Sequence, residues 1–138
     1  MALFGPGREG FLAGEIDWDT ASIRAVLGRG YSFNAAHRFV SDLSGHTAVA
    51  TSAPLTGKTI TNGVADAADI TLTAVPAGAA CPYIIIFQSS AVAGGGDVAA
   101  TAQRLIAFIS TATGLPVTPN GADINVAWDN GANRIFML

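Results

Sequence analysis

Charged residues are scarce in this chain of 138 residues. Only 12% of the residues are charged and the formal net charge is −3, whereas roughly 25% of the residues in ordinary soluble proteins are charged. The basic residues are a single lysine, Lys58, and six scattered arginines. Because nucleic-acid affinity depends on clustered phosphate contacts from basic side chains, we expect no nucleic-acid partner.

Cysteine and long apolar runs are also scarce. The single cysteine, Cys81, excludes an internal disulfide. A membrane-spanning helix needs about 20 consecutive apolar residues, and the longest runs of large apolar residues here are YIIIF and LIAFI. No charged start followed by an apolar segment marks a secretory signal at the N-terminus. The sequence therefore predicts neither membrane insertion nor a cleaved leader.

Apolar residues make up half of the sequence, which is long enough for one domain with a sizeable core. Surfaces that contact other proteins lose charge, while free surfaces keep it. The abundance of apolar and neutral residues therefore indicates a large core together with extensive protein contacts. This composition favours a component of an assembly.

Short apolar or alternating segments separated by turn residues predict eight or nine strands. The candidate strands are GEIDW, SIRAVL, TAVATS, KTIT, DITLTAV, YIIIFQ, QRLIAFIS, DINVAW and NRIFML. This spacing is typical of an all-β antiparallel sandwich or jelly roll. YIIIF and LIAFI are apolar on both faces, so they predict central strands covered on both sides.

Three further segments complete the predicted organisation. Residues 34–43 (NAAHRFVSDL) predict one short helix, with Asn34 as its cap and Gly45 as its stop. Residues 1–10 (MALFGPGREG) predict an irregular N-terminal arm, and residues 11–138 a single β-sandwich domain. AVAGGGDVAATA predicts a surface loop.

Two fragments imitate phosphate-binding motifs. GPGREG matches G-x-G-x-x-G through Gly5, Gly7 and Gly10, but a dinucleotide site needs a strand before this motif and a helix after it. LTGKT resembles the end of a P-loop, but Ser52 stands where the motif needs glycine. We therefore interpret the first fragment as part of the arm and the second as a turn with an exposed Lys58.

The possible metal ligands and nucleophiles are isolated from one another. Asp17 and Asp19 flank Trp18 without further acidic support, so we interpret them as solvated strand-end aspartates. His37, His46 and Cys81 lack the spacing of a zinc site, and Cys81 leads into an apolar strand, where cysteine is usually inert. We therefore predict no catalytic, metal-binding or cofactor-binding residues and no enzymatic activity.

The C-terminal segment predicts a hairpin and an interface. Asn130-Gly131 favours a two-residue turn between DINVAW and NRIFML, which would point Phe136 and Leu138 away from the face of Ile124, Val126 and Trp128. A partner subunit, or the chain's own helix or arm, must then cover them. The predicted interface residues are Phe136 and Leu138, with Leu3, Phe4 and Phe11 as apolar anchors in and beside the arm.

Three long stretches carry a resemblance to a known group of proteins. GEIDWDTASIRAVL, HRFVSDLSGHTAVATSAPLTGKTITNGVADAADITLTAV and RLIAFISTATGLPVTPNGADINVAWDNGANRIFML together resemble a recurrent type of small virion protein of tailed bacteriophages. Within that group the chain is most similar to capsid cement or head-decoration proteins with a jelly-roll-like fold. The resemblance covers nearly the whole chain and implies no catalytic residues.

The resemblance implies a non-enzymatic protein on the outer surface of the capsid, assembled in the host cytoplasm, which bridges capsomers and stabilises the shell. Its expected partners are the major capsid protein and itself, with a homodimer favoured and a trimer possible. One alternative is a structural component of the tail, neck or head fibre. Another is a small carbohydrate-binding sandwich that stacks sugars on Trp18, Tyr31 or Trp128.

Overall fold

Ten strands and one α-helix make up the computed structural model, which describes all 138 residues. The helix is α1 (Gly5–Leu12). The strands are β1 (Ala2–Leu3), β2 (Ile23–Arg29), β3 (Thr47–Thr51), β4 (Thr59–Thr61), β5 (Val64–Asp66), β6 (Ile70–Leu72), β7 (Tyr83–Gln88), β8 (Arg104–Ile109), β9 (Ile124–Val126) and β10 (Phe136–Met137). Two short 3₁₀ turns lie at Val40–Asp42 and Ala100–Ala102.

The strands form three antiparallel sheets. The large sheet has five strands in the order β1-β8-β7-β2-β3, the second has the order β10-β5-β4, and the third pairs β6 with β9. The inner face of the large sheet shares one hydrophobic core with residues of both smaller sheets. The predicted all-β, sandwich-like class with a single helix is therefore confirmed.

Strand β7 lies in the middle of the large sheet and has no exposed residue. Its neighbour β2 alternates between the two faces: Ile23, Ala25 and Leu27 belong to the inner core, and Val26 to the outer one. Both faces of the sheet are consequently apolar and covered, which confirms the interpretation of YIIIF as a central strand buried on both sides.

The inner core contains both tryptophans. The indole N–H of Trp18 donates to the backbone oxygen of Asp66 at 3.2 Å, and that of Trp128 donates to the backbone oxygen of Ala68 at 3.0 Å. Because each buried indole N–H has an acceptor, neither ring carries an unpaired donor into the core. Trp128 is therefore a core residue.

The outer face is covered by Phe4 and by the segment between β2 and β3. Tyr31 and Leu43 of that segment pack with Val26, Tyr83 and other side chains on a second apolar cluster. The predicted helix at residues 34–43 is wrong. The carboxylate of Asp42 accepts the N–H groups of Arg38 and Phe39, which competes with helical hydrogen bonds, and only a 3₁₀ turn forms.

The N-terminal residues are not an irregular arm. Strand β1 pairs with β8, with Ala2 opposite Phe108, and α1 follows it directly. A Cβ on Gly7 would lie 2.6 Å from the backbone oxygen of Leu105, so glycine lets α1 approach β8 closely. From sequence alone, the glycines of residues 1–10 indicate an unpacked arm. In the structure, Gly7 instead allows the helix to pack closely on the sheet.

The predicted hairpin between DINVAW and NRIFML is also wrong, because β9 pairs with β6 and β10 pairs with β5. At the predicted turn, the Asp129 carboxylate accepts the Gly131 N–H at 3.0 Å. A different Asn-Gly pair forms the two-residue hairpin turn, since Asn62 and Gly63 have φ of 51° and 78° and connect β4 to β5. GEIDW, predicted as a strand, lies outside the ten strands.

Phe4 provides a direct test of how the N-terminal residues contribute to stability. Its side chain is fully buried, so Phe4→Ala should lower the free energy of unfolding by about 3–5 kcal/mol. Leu12, 91% exposed at the end of α1, is the matched control, and Leu12→Ala should change it by less than about 0.5 kcal/mol. Urea denaturation measures both. Equal effects would contradict the packing of the N-terminus on the large sheet.

A candidate interaction surface beside strand β10

A row of apolar side chains crosses the second sheet. Ile60 of β4 and Phe136 of β10 both pair with Ala65 of β5, and residues that oppose one another across strands share a face. Leu138, two residues after Phe136, points to the same side. The exposed fraction rises sharply along this row, from 1% at Phe136 to 56% at Ile60 and 57% at Leu138.

The chain itself covers Phe136. The Phe11 ring of α1 lies 5.7 Å from the Phe136 ring, and the Trp18 ring meets it edge-on at 5.1 Å. Phe136 was predicted to face a partner, and this prediction is wrong because α1 and the loop after it fill that space. Leu138 remains exposed, and its place in a partner interface stays a prediction.

A groove of about 250 Å³ opens where this cover ends. We call it the C-terminal groove, and its apolar lining comprises Phe11, Ile16, Trp18, Ile60, Ala65, Phe136 and Leu138. Ile60 and Leu138 are two of the seven large apolar side chains that the chain leaves exposed. The groove is thus a concave apolar surface with exposed aliphatic side chains at its rim.

Strand β4 adds an open sheet edge to the groove. Its three residues are all exposed, and it pairs only with β5. The two-residue turn makes Thr61 and Val64 a hydrogen-bonded pair, so the antiparallel alternation leaves the N–H and C=O of Ile60 pointing away from β5. An extended chain can add to such an edge while its side chains enter the neighbouring groove.

Polar groups at the rim are paired within the chain. The hydroxyl of Thr20 donates to the Asp17 carboxylate at 2.6 Å, and its N–H donates to the other oxygen at 3.2 Å. Hydrogen bonds from Thr20, then from Asp19, lower the pKa of Asp17. The ammonium of Lys58 donates to the backbone oxygen of Ala21. Burial lowers the pKa of Lys58, although the negative charges of Asp17 and Asp19 act in the opposite direction. Lys58 is half-buried, so the prediction of an exposed lysine is wrong.

The predicted interface residues fall into two groups. Phe11 and Leu138 line the C-terminal groove, together with the buried Phe136. Leu3 and Phe4 are buried against the large sheet at 9% and 0% exposure, so the prediction that they anchor a partner is wrong. Sequence reasoning missed Ile60, although Asn62-Gly63 in TITNGVAD was a signal for a hairpin that presents it.

The remaining candidate residues do not assemble into a site. His37 lies 2.9 Å from the Tyr31 hydroxyl and His46 lies 2.8 Å from the Tyr83 hydroxyl, while Cys81 is buried elsewhere. The structure has no group of three or more His, Cys, Asp or Glu side chains placed to hold a metal ion.

The two motif-like fragments are also accounted for by the fold. The Gly5 N–H of GPGREG donates to the backbone oxygen of Ala35, and Gly57 of LTGKT adopts the positive φ of a turn. Trp18, Tyr31 and Trp128 are at most 7% exposed, so none offers a ring face to a sugar.

Comparisons with known proteins give no match for this chain: no protein-family model fits it, and no curated protein is detectably similar to it in sequence. The only α-helix has eight residues, and no helix of the structure has the length and apolarity to cross a membrane.

The difference in exposure between Phe136 and the other two side chains of the row, Ile60 and Leu138, predicts how much each contributes to the free energy of unfolding. Phe136→Ser should cost about 3–5 kcal/mol, because it empties a fully buried aromatic site, and should lower the melting temperature by about 10 °C or more. Leu138→Ser and Ile60→Ser remove half-exposed side chains and should each cost less than about 1 kcal/mol. Thermal unfolding of the three variants tests this, and a large loss in Leu138→Ser would mean that the groove is closed in solution.

Proposed function

We propose that this protein is a non-enzymatic structural protein of a tailed-phage virion, which binds the outside of the capsid and stabilises the shell by bridging capsomers. The observation that carries the proposal is the C-terminal groove, where Ile60 and Leu138 are more than half exposed beside the open edge of β4. Such a surface suits a contact with another protein chain.

The energetics of the groove fit a contact that is weak in one copy and strong in many. Burying Ile60 and Leu138 against a partner is worth at most about 3–6 kcal/mol, and association itself consumes much of this gain. A shell presents many equivalent sites, so bridged copies hold one another in place through multivalency. Modest contacts then resist the outward pressure of packaged DNA collectively.

Low charge supports the same proposal. Asp17 and Lys58 at and near the groove have hydrogen-bond partners within the chain, so a protein that covers them does not leave either group without a hydrogen bond. The proposed partner is the major capsid protein. Bridging also needs contacts between copies of this protein, for which a homodimer is favoured and a trimer is possible.

A tail, neck or head-fibre role is the alternative within the same structural class, and copy number separates the two. Quantitative mass spectrometry of virions that carry this protein should find it in numbers comparable with the capsomers. About a dozen copies or fewer would indicate a neck or tail position and would overturn the capsid role.

Binding to the shell should depend on the rim of the groove. Ile60→Asp combined with Leu138→Asp places two charges where apolar contact is proposed, and should weaken binding to purified capsids at least about tenfold, since about 1.4 kcal/mol is lost for each factor of ten. Val92, 65% exposed but outside the groove lining, is the matched control as Val92→Asp. Co-sedimentation with capsids measures binding.

Unchanged co-sedimentation of the double variant would reject the groove as the docking site. The melting temperature of each variant must be measured alongside, so that a loss of folding is not mistaken for a loss of binding. A variant that folds normally and no longer binds supports the proposal.

A further inference from the structure

The imidazole of His46 sits on the outer face of the large sheet in a position that only a missing side chain makes possible. Its Nδ1 lies 2.8 Å from the Tyr83 hydroxyl, and the two rings are 5.8 Å apart. A Cβ on Gly28 would overlap the imidazole Cε1 and lie 2.8 Å from Nδ1. Glycine in the interior of β2 therefore makes room for this histidine.

The hydrogen bonds of Tyr83 favour a neutral His46. The backbone N–H of Tyr31 donates to the Tyr83 hydroxyl oxygen at 3.1 Å. The hydroxyl proton of Tyr83 is then free to be donated to Nδ1 of His46, an arrangement that requires Nδ1 to carry no proton of its own. A protonated His46 would direct a second N–H at this oxygen and leave the hydroxyl proton, on a residue only 1% exposed, without its acceptor.

No charge nearby compensates for an imidazolium at this position. His46 lines an outer groove of about 340 Å³ with Arg24 of β2 and Asp97 of the loop after β7. These two side chains pair with each other at 3.0 Å, and Arg24 also donates to the backbone oxygen of Ser52 at 2.8 Å. Burial lowers the pKa of His46 from its ordinary value of 6.5.

His37, the other histidine of the chain, has a different environment. Its Nδ1 lies 2.9 Å from the Tyr31 hydroxyl, but the charge of Asp42 is close enough to interact with it. The pKa of Asp42 is lowered by the N–H groups of Phe39 and Arg38, and further by His37. A carboxylate therefore lies near His37, whereas the only cause of the lowered pKa of His46 is burial.

We propose that His46 is an acid-sensitive latch, whose protonation frees the turn Leu43–His46 and the backbone of Tyr31 from Tyr83 and uncovers the outer apolar cluster around Val26 and Phe87. The middle of the covering segment stays in place. The Val40 N–H donates to the backbone oxygen of Gln103 at 2.9 Å, and the Leu105 N–H donates to the backbone oxygen of Arg38 at 2.9 Å. Neither bond involves a histidine. The opening is therefore confined to one part of the segment.

The sign of the pH dependence follows from the neutral form required in the closed state. The open state binds the proton more readily, so the closed state is stable above the ordinary pKa and loses stability as the pH falls below about 6.5. One proton is linked to opening, so the open population should rise by up to about tenfold per pH unit between the ordinary pKa of 6.5 and the lower pKa of His46 in the closed state, and should level off below that lower pKa, where both states are protonated.

Residue-resolved amide hydrogen exchange of the intact chain between pH 7.5 and 5 tests the latch, after correction for the intrinsic exchange rates. The protection of the Tyr31 and His46 amides should decrease as the pH is lowered, while the protection of the Val40 and Leu105 amides should stay constant. Constant protection at Tyr31 and His46 over this range would overturn the proposal.

A matched pair of variants assigns the effect to one histidine. His46→Asn keeps an acceptor near the Nδ1 position but cannot titrate, so its protection at Tyr31 should not depend on pH. His37→Asn should keep the pH dependence of the native chain. The proposal fails if His46→Asn responds to pH as the native chain does.

Titration of the imidazole protons of the native chain by NMR keeps the test decisive if a variant does not fold. The His46 ring should titrate below pH 6.5, with a midpoint at the pH where the loss of amide protection levels off. A His46 midpoint at or above 6.5 would overturn the latch.

Discussion

The whole structure depends on a central strand that has no exposed side chain. Every residue of β7, from Tyr83 to Gln88, is buried, and alternate side chains point to opposite faces of the sheet. Ile84 and Ile86 face the inner core, while Tyr83, Ile85 and Phe87 face the outer cluster. A chain with this strand must supply cover for both faces, and the remaining elements divide between these two tasks.

The end of β7 connects this constraint to the candidate interaction surface. The Gln88 amide is buried, accepts the N–H of Asp17 at 2.9 Å and donates to the backbone oxygens of Glu15 and Ser90. These bonds fix the segment that carries Trp18, and Trp18 in turn covers Phe136. The inner wall of the C-terminal groove is therefore positioned by a polar residue of the central strand, with no buried polar side-chain atom left unpaired.

Local pattern predicted the strands of this protein better than it predicted their partners. Strands β2, β7 and β8 follow from runs of apolar or alternating residues, because such a run determines burial wherever the strand lies. The pairing of β10 with β5, 71 positions apart at Phe136 and Ala65, depends on contacts that no local window contains. Three Asn-Gly pairs, at 62–63, 120–121 and 130–131, gave the same local signal, and only the pair at 62–63 forms a two-residue hairpin turn.

Glycine misled the prediction of the N-terminus, and the physical reason also applies to a glycine of the large sheet. A glycine signals either freedom of the backbone or close approach of another group, and sequence alone does not distinguish the two. Gly7 admits the backbone of β8, and Gly28 admits the imidazole of His46. The prediction of a helix at residues 34–43 was wrong for a different reason, because the Asp42 carboxylate accepts hydrogen bonds from backbone N–H groups that a helix would need.

Part of the groove is exposed because α1 is too short to cover all of it. A helix of eight residues is about 12 Å long, and after Phe11 and Leu12 the chain turns back at Gly14, which has a φ of 74°. Phe11 is thus the last helical side chain over the second sheet, and it reaches Phe136. Nothing continues over Ile60 at the far edge of the same row. The apolar rim is uncovered because the elements that shield the inner core end one strand short of β4.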